Sequence, residues 1–192
     1  MWPFSEKRPD LDSQVDIAYE IICEVRRCET PCIIQMLVSE ENRSDELLAV
    51  ANIEILLLCL HLTDRVASVI LKTDRKAFME KLLKRAINEP GSDSRSIRKG
   101  FIRWTAYLSH PVWVEPFDPE TFLTRKYVKK EQTVFWQVSL SWASYFATAV
   151  DGDKEFSAAL GICLSVMESL AGAYRQIGLL PEREMKPSDT WF

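Results

Sequence analysis

The chain has 192 residues, of which 47% are hydrophobic and 27% charged, and its formal net charge is −4. This composition matches an ordinary soluble globular protein, and the length suits one domain that buries a sizeable core without disulfide or metal staples. With only six glycines and two histidines, and with no phosphate-binding, dinucleotide-binding, zinc-protease or nucleophile-elbow motif, most familiar catalytic constellations are excluded.

The charge is unevenly distributed along the chain. Residues 65–130 hold 15 Lys/Arg against 7 Asp/Glu, a net charge of +8, whereas the remainder holds 9 against 21, a net charge of −12. The chain is therefore acidic at both ends and basic in the middle. We expect the basic middle to complement an acidic protein or the acidic ends of a second copy.

The cysteines and the N-terminus favour a cytoplasmic protein. An odd number of cysteines at irregular spacing suits reduced thiols better than a disulfide framework. The opening residues MWPFSEKRPD contain no apolar signal-peptide segment, and neither end carries a lipidation motif. We expect no metal at the three cysteines near the N-terminus, because a zinc site would need a second pair of ligands and the sequence has none. We also expect no cofactor. The five are Cys23, Cys28, Cys32, Cys59 and Cys163.

Two helical segments are predicted before residue 44, after an irregular lead-in over residues 1–10. Asp10 or Asp12 can cap the first helix, which has its apolar residues at helical spacing. Thr30 followed by Pro31 predicts the start of a second, short helix, because proline is favoured at the first helical position. The polar run at 39–44 then interrupts the pattern. The apolar positions of the first helix are Val15, Ala18, Ile21, Ile22 and Val25.

The stretch Ser44–Lys72 predicts a long helix at the centre of the fold. It contains no glycine or proline, it is too long for a strand, and it is apolar around most of its circumference. A transmembrane span is the alternative, which we reject on the sequence because the densest apolar run, Ile55–Leu60, has six residues between Glu54 and His61. A span needs about 20 predominantly apolar residues.

Further helices are predicted towards the C-terminus. Thr73 and Asp74 mark the start of an amphipathic helix over 75–87, and a turn-rich loop at 88–94 leads to a helix over 94–108. The proline-rich connection 109–119 is a candidate functional loop because of its length. The next helix is predicted to run from about 118 to 150, with a break near Lys130.

The last predicted helix runs from Lys154 to about Ile177, with Asp153 as its cap and Gly178 as the residue that ends it. Small residues recur along it. They would let another helix approach closely, from within the bundle or from a second subunit. These small residues are Ala158, Gly161, Ser165, Ser169 and Gly172.

Together these patterns predict an all-α fold. No stretch combines strand periodicity with a hairpin turn signal. We expect a single-domain helical bundle of five to seven helices over residues 11–178, packed around a buried central helix at about 45–72, with a C-terminal tail over 179–192.

The central helix carries four ionisable residues, Glu54, His61, Asp64 and Arg65, which form a candidate polar pocket. His61 and Asp64, three residues apart, can meet on one helix face. Glu54 lies about 10.5 Å from His61 along the axis, so a shared metal ion would need ligands from another helix. The structural alternative is a solvated strip, or a buried network in which Asp64 and Arg65 tie the helix to its neighbours.

A second candidate site is the basic segment of the helix over 94–108. Its cations, interleaved with Phe101 and Trp104, are a candidate surface for anions or nucleic acid. No nucleic-acid motif accompanies them, and the spacing of the aromatic residues also fits core packing, so a solvated amphipathic face is the alternative. The cations are Arg95, Arg98, Lys99 and Arg103.

The sequence therefore favours a non-catalytic cytoplasmic protein that acts through protein–protein interaction or self-association, as a homo-oligomer and without membrane contact. The alternative is a metal- or small-molecule-binding bundle that uses Glu54, His61 and Asp64. Anion or nucleic-acid binding by the basic middle section is a third hypothesis.

Overall fold

The computed structural model of the protein describes residues 9–89, 134–146 and 152–176. These residues contain five α-helices and two short 3₁₀ turns, and no strand. The all-α class is as predicted, and side chains from all five helices join one hydrophobic core. The helices are α1 (Leu11–Leu37), α2 (Asp45–Ile70), α3 (Arg75–Ile87), α4 (Val134–Phe146) and α5 (Gly152–Gln176).

Helix α1 is one continuous helix, so the predicted new start at Thr30–Pro31 is wrong. Asp10 caps it by accepting a hydrogen bond from the Ser13 amide (2.8 Å). Pro31 lies inside the helix and is solvent-exposed. A proline there removes one helical hydrogen bond, but the buried residues Ile33, Ile34 and Leu37 keep the last two turns packed on the core. Tertiary packing therefore outweighs the local signal for a break.

Helix α2 has the buried middle that its sequence predicts. The Ser44 hydroxyl accepts a hydrogen bond from the Leu47 amide (3.2 Å) at its start. Every residue from Ile55 to Asp64 is buried, on all sides of the helix. The neighbours of α2 include α1, α3 and α5. Helix α1 also contacts the four other described helices.

By length and composition alone, two of the described helices are apolar enough to cross a membrane. They are Asp45–Ala67 of α2 and Lys154–Arg175 of α5. The argument from the six-residue run Ile55–Leu60 therefore underestimated the apolar length of α2. In the most apolar 18-residue window, 56% of the residues of α2 but only 44% of those of α5 are buried within the protein.

Contacts between distant residues give the directions of the helices. Ion pairs join Asp12 to Lys81 and Asp16 to Arg85, so α1 and α3 run parallel, with the antiparallel α2 between them in the chain. In α5, Ser165 contacts Glu29 of α1, and Tyr174 lines a cavity with Gln14 near the start of α1. Helix α5 therefore runs antiparallel to α1.

The later described helices lie within or close to predicted ones. Helix α3 covers Arg75–Ile87 as expected, although the Asp74 side chain makes no capping hydrogen bond. Helix α4 covers part of the helix predicted over about 118–150. Helix α5 begins at Gly152, one residue before the predicted cap Asp153. The predicted helix over 94–108, the connection 109–119, Gly178 and the tail over 179–192 lie outside the described residues.

Replacing Pro31 tests how the core holds α1 together. We expect Pro31→Ala to raise the free energy of unfolding by about 1–3 kcal/mol, because it restores a helical N–H at an exposed position. Chemical denaturation monitored by circular dichroism measures this change. Gln35→Ala, at the next exposed turn, is the control and should change stability by less than about 0.5 kcal/mol. A less stable Pro31→Ala variant would mean that the proline constraint supports the fold.

Candidate functional site

Four polar side chains of α2 form hydrogen bonds with side chains of neighbouring helices, and each of the four bonds to a different helix. Asn52 Oδ1 accepts a hydrogen bond from Arg26 Nε of α1 (3.1 Å). Glu54 Oε2 accepts one from the indole of Trp142 in α4 (3.1 Å). Thr63 shares a hydrogen bond with Tyr174 of α5, and Asp64 accepts hydrogen bonds from Arg75 of α3. Buried polar groups need such partners, because an unsatisfied one costs about 1–3 kcal/mol.

The strongest of these contacts joins Asp64 to Arg75. The Nε of Arg75 donates to Oδ1 (2.8 Å) and Nη2 donates to Oδ2 (2.6 Å), a two-bond geometry that is the most favourable for this pair. The Asp64 side chain is 10% exposed and that of Arg75 is 40% exposed. The hydrogen bonds to Asp64 raise the pKa of Arg75, so this guanidinium stays charged at the end of α2 nearest α3.

His61 lies one turn before this ion pair and is buried, with 3% of its surface exposed. Burial lowers its pKa to about 4, and the positive charge of Arg65 acts in the same direction, whereas Asp64 opposes the shift. The imidazole is therefore neutral at pH 7. Burial, followed by the effect of Arg75, also lowers the pKa of Arg65 against the opposing influence of Asp64.

The structure therefore brings His61, Asp64 and Arg65 into one electrostatic cluster and directs Glu54 elsewhere, to Trp142. Both oxygens of Asp64 already accept hydrogen bonds from Arg75. Among the described residues, no group of three or more His, Cys, Asp or Glu side chains is arranged to hold a metal ion. Among the described residues, Asp64 joins α2 to α3 through Arg75, and Glu54 joins α2 to α4 through Trp142.

A second buried polar network was missed by the sequence analysis. Arg26 forms an ion pair with Glu89 beyond the end of α3 (2.8 Å), and Glu29 accepts a hydrogen bond from Ser165 Oγ of α5 (2.7 Å). Thr30 Oγ1 approaches Asn52 Oδ1 at 3.5 Å. The signal was present, because all three α1 residues continue the apolar spacing that begins at Ile22. Polar residues on such a face indicate contacts across the bundle.

A small cavity lies beside the buried hydroxyl groups of α2 and α5. It has a volume of about 20 Å³ and lies beside the hydrogen-bonded hydroxyls of Thr63 and Tyr174 (2.8 Å). A cavity of this size holds about one water molecule, so it has no room for a substrate. Burial raises the pKa of the Tyr174 hydroxyl, which stays protonated. The lining residues are Gln14, Thr63, Val66, Ala67, Leu71, Phe78 and Tyr174.

The cysteines of the core are placed as expected. All five cysteines are free, and both Cys59 and Cys163 are fully buried. Burial raises the pKa of Cys163 to about 12 and raises that of Cys59 as well. Neither thiol is reactive in this environment, because the thiolate is the reactive form.

The small residues of α5 form a stripe that we name the α5 outer face; within it Ser165 also contacts Glu29 of α1 and Ala158 packs against the core. At about 100° per residue they span about 80° of the helix circumference, and none of them is buried. A Cβ atom added at Gly161 or Gly172 would meet no atom of the described structure within 4 Å. No described helix therefore packs closely against Gly161 or Gly172, as the small residues would allow. The α5 outer face comprises Ala158, Gly161, Ser165, Ser169 and Gly172.

Part of the predicted positive surface is neutralised within the chain. Lys81 and Arg85 of α3 pair with Asp12 and Asp16 of α1, and the Arg85 guanidinium lies 5.1 Å from the centre of the Tyr19 ring. Two acidic residues of α1 thus pair with two basic residues of the middle section within the same chain. The other candidate cations, Arg95, Arg98, Lys99 and Arg103, lie outside the described residues.

The described residues define an all-α helical fold. Comparison of the chain with protein-family models, with curated proteins and with solved structures found no match.

Removing the cation of the buried ion pair tests its structural role. We expect Arg75→Met to lower the free energy of unfolding by about 2–3 kcal/mol, since it leaves the Asp64 carboxylate buried without its partner. The double variant Asp64→Leu/Arg75→Met should recover most of that loss. Denaturant titration gives both values, and Lys76→Met at the adjacent exposed position is the control. Equal losses in the Arg75→Met and Lys76→Met variants would contradict this role.

The pH dependence of stability tests the state of His61. Its folded pKa, about 4, lies below its ordinary value of 6.5, so between these values the unfolded chain binds a proton that the folded protein does not. The contribution of His61 is thus complete above pH 6.5 and decreases as the pH falls towards 4, by up to about 3 kcal/mol.

The His61→Gln variant isolates this contribution. We expect its free energy of unfolding to fall less steeply than that of the natural chain between about pH 6.5 and about pH 4.5. Urea titrations at several pH values measure both slopes. Parallel slopes would show that His61 is not protonated on unfolding.

Proposed function

We propose that this chain is a non-catalytic helical protein of the cytoplasm that acts through protein–protein contact, and that the α5 outer face is its contact surface. The observation that carries the proposal is the mismatch between composition and burial in α5. The helix is apolar enough to span a membrane, yet 44% of its most apolar window is buried by the rest of the protein. A helix this apolar gains stability when a further surface covers it.

The shape of the α5 outer face favours another helix as the covering surface. Small residues let two helix backbones approach closely, which increases the van der Waals contact between them. The space above Gly161 and Gly172 is open to a distance of 4 Å in the described structure. A second copy is the proposed partner, with α5 packed against α5 across a twofold axis, because a twofold contact uses the same patch on both subunits.

A lipid surface fits α5 less well than a protein partner. Glu168 is exposed beside the small-residue stripe, within the apolar stretch of the helix. A carboxylate there is costly in hydrocarbon but is readily solvated or paired at a protein interface. Helix α1 also carries exposed carboxylates on its outer side, at Asp12, Asp16 and Glu20. A reducing compartment agrees with five free cysteines.

Bulky residues at the two glycines test the α5 outer face. We expect the natural chain to sediment as a dimer and Gly161→Leu/Gly172→Leu to weaken self-association at least about tenfold, or about 1.4 kcal/mol. Leucine side chains would hold the two helices apart, whereas the fold should survive because both Cβ positions are open. Sedimentation velocity over a range of protein concentrations measures the association.

Ala77→Leu is the matched control, since Ala77 is a small exposed residue on α3. It should leave self-association unchanged, and circular dichroism should show the same helix content in all variants. A natural chain that is monomeric at every concentration would overturn the proposal, as would a double variant that dimerises normally. Co-flotation of the natural chain with phospholipid vesicles would support the membrane alternative instead.

A further inference from the structure

A surface cleft of about 310 Å³ lies between α2 and α3, away from the α5 outer face. Its volume is at the lower end of the range for small-molecule sites, about 300–1,000 Å³. It opens beside the Asp64–Arg75 ion pair, and it is far larger than the cavity beside Tyr174. The residues that line the cleft are Asp64, Arg75, Lys76, Met79, Glu80 and Leu83.

The interior of the cleft is apolar. Met79 is 8% exposed and belongs to the core, and Leu83 is half-buried one turn further along α3. A flexible thioether next to a leucine side chain adapts to aliphatic chains of different shape. This part of the cleft therefore suits an aliphatic body.

The edge of the cleft provides two cations. Arg75 uses Nε and Nη2 to hold Asp64, and in the described structure the hydrogens of its Nη1 have no partner. Lys76 is exposed, and its Nζ lies 3.9 Å from the carboxylate of Glu80, which is also exposed. Such a surface pair contributes little stability, so a ligand anion can displace Glu80 from Lys76.

The charges around the cleft favour an anion over a cation. Both carboxylate oxygens of Asp64 already accept a hydrogen bond from Arg75, and the second carboxylate of the lining, Glu80, lies beside Lys76, so a ligand cation would have to compete with the protein's own cations for either carboxylate. The positive charge of Arg75 also reaches Arg65, since it helps to lower the pKa of that guanidinium. A ligand carboxylate would relieve this repulsion between like charges.

We propose that the α2–α3 cleft binds a small organic anion in which a carboxylate is joined to an aliphatic body, with the carboxylate at Arg75 and Lys76 and the body on Met79 and Leu83. The simplest member of this class is a medium-chain fatty acid. Charge-assisted hydrogen bonds to the guanidinium and the ammonium orient the carboxylate, and removal of the aliphatic body from water supplies the affinity. The site is independent of the α5 outer face.

Methionine-methyl NMR of the full chain with octanoate as the probe tests the proposal. The Met79 methyl resonance, assigned by its loss in Met79→Leu, should shift saturably as octanoate is added below its micelle concentration. The Met36 methyl group, which is exposed on α1, serves as an internal control and should not move. Octanamide, which has the same body without the charge, should bind at least about tenfold more weakly.

Charge reversal at the edge of the cleft completes the test. Lys76→Glu should weaken octanoate binding at least about tenfold, and Lys84→Glu, on the same helix but not in the cleft, should leave it unchanged. A Met79 resonance that does not shift overturns the proposal. So do equal shifts of Met79 and Met36, equal affinity for octanoate and octanamide, or unchanged binding by the Lys76→Glu variant.

Discussion

Ten consecutive residues in the middle of α2, from Ile55 to Asp64, are buried on every side of the helix, and the rest of the fold depends on this constraint. A helix with no face in water needs apolar neighbours all round it. Helices α1, α3 and α5 supply them, and α4 adds Trp142 at Glu54. The hydrophobic contribution is large, but it is non-directional. It therefore explains why the helices gather and not which surfaces meet.

The polar residues of α2 supply that missing direction. Asn52, Glu54, Thr63 and Asp64 are each bound by a different neighbouring helix. A mispacked bundle would leave several of these groups buried without partners, at about 1–3 kcal/mol each. Two of the side chains that resemble a catalytic set in the sequence, Glu54 and Asp64, thus bond to neighbouring helices. The two surfaces proposed to bind other molecules, the α5 outer face and the α2–α3 cleft, lie at the periphery of the described residues.

The sequence predicts the helices well because their signals are local. Ser44, the absence of glycine and proline in α2, and the amphipathic spacing of α3 all act within a few residues. Pro31 misled for the same reason, since the contacts that keep α1 continuous come from distant parts of the chain. The membrane argument counted one uninterrupted run and therefore underestimated the apolar length of α2.

The sequence does not identify which side chains pair with one another between helices. The spacing of His61 and Asp64 indicated that they share a face, but nothing in it identified Arg75 as the partner of Asp64 or Trp142 as that of Glu54. Arg26 and Glu29 were recognisable as polar residues on an apolar face, although their partners Glu89 and Ser165 lie far along the chain. Such pairs depend on how the helices are directed relative to one another, and the periodicity of a single helix gives no information about that.

The two ion pairs between α1 and α3 carry an ambiguity of register. Asp12 and Asp16 are four residues apart, and so are their partners Lys81 and Arg85. A slip of one helical turn, about 5.4 Å, would therefore still pair Asp16 with Lys81. Arg26, which pairs with Glu89, has no such repeat. The exposed pairs are compatible with a second alignment of α1 and α3, and the more deeply buried Arg26–Glu89 pair selects one of the two.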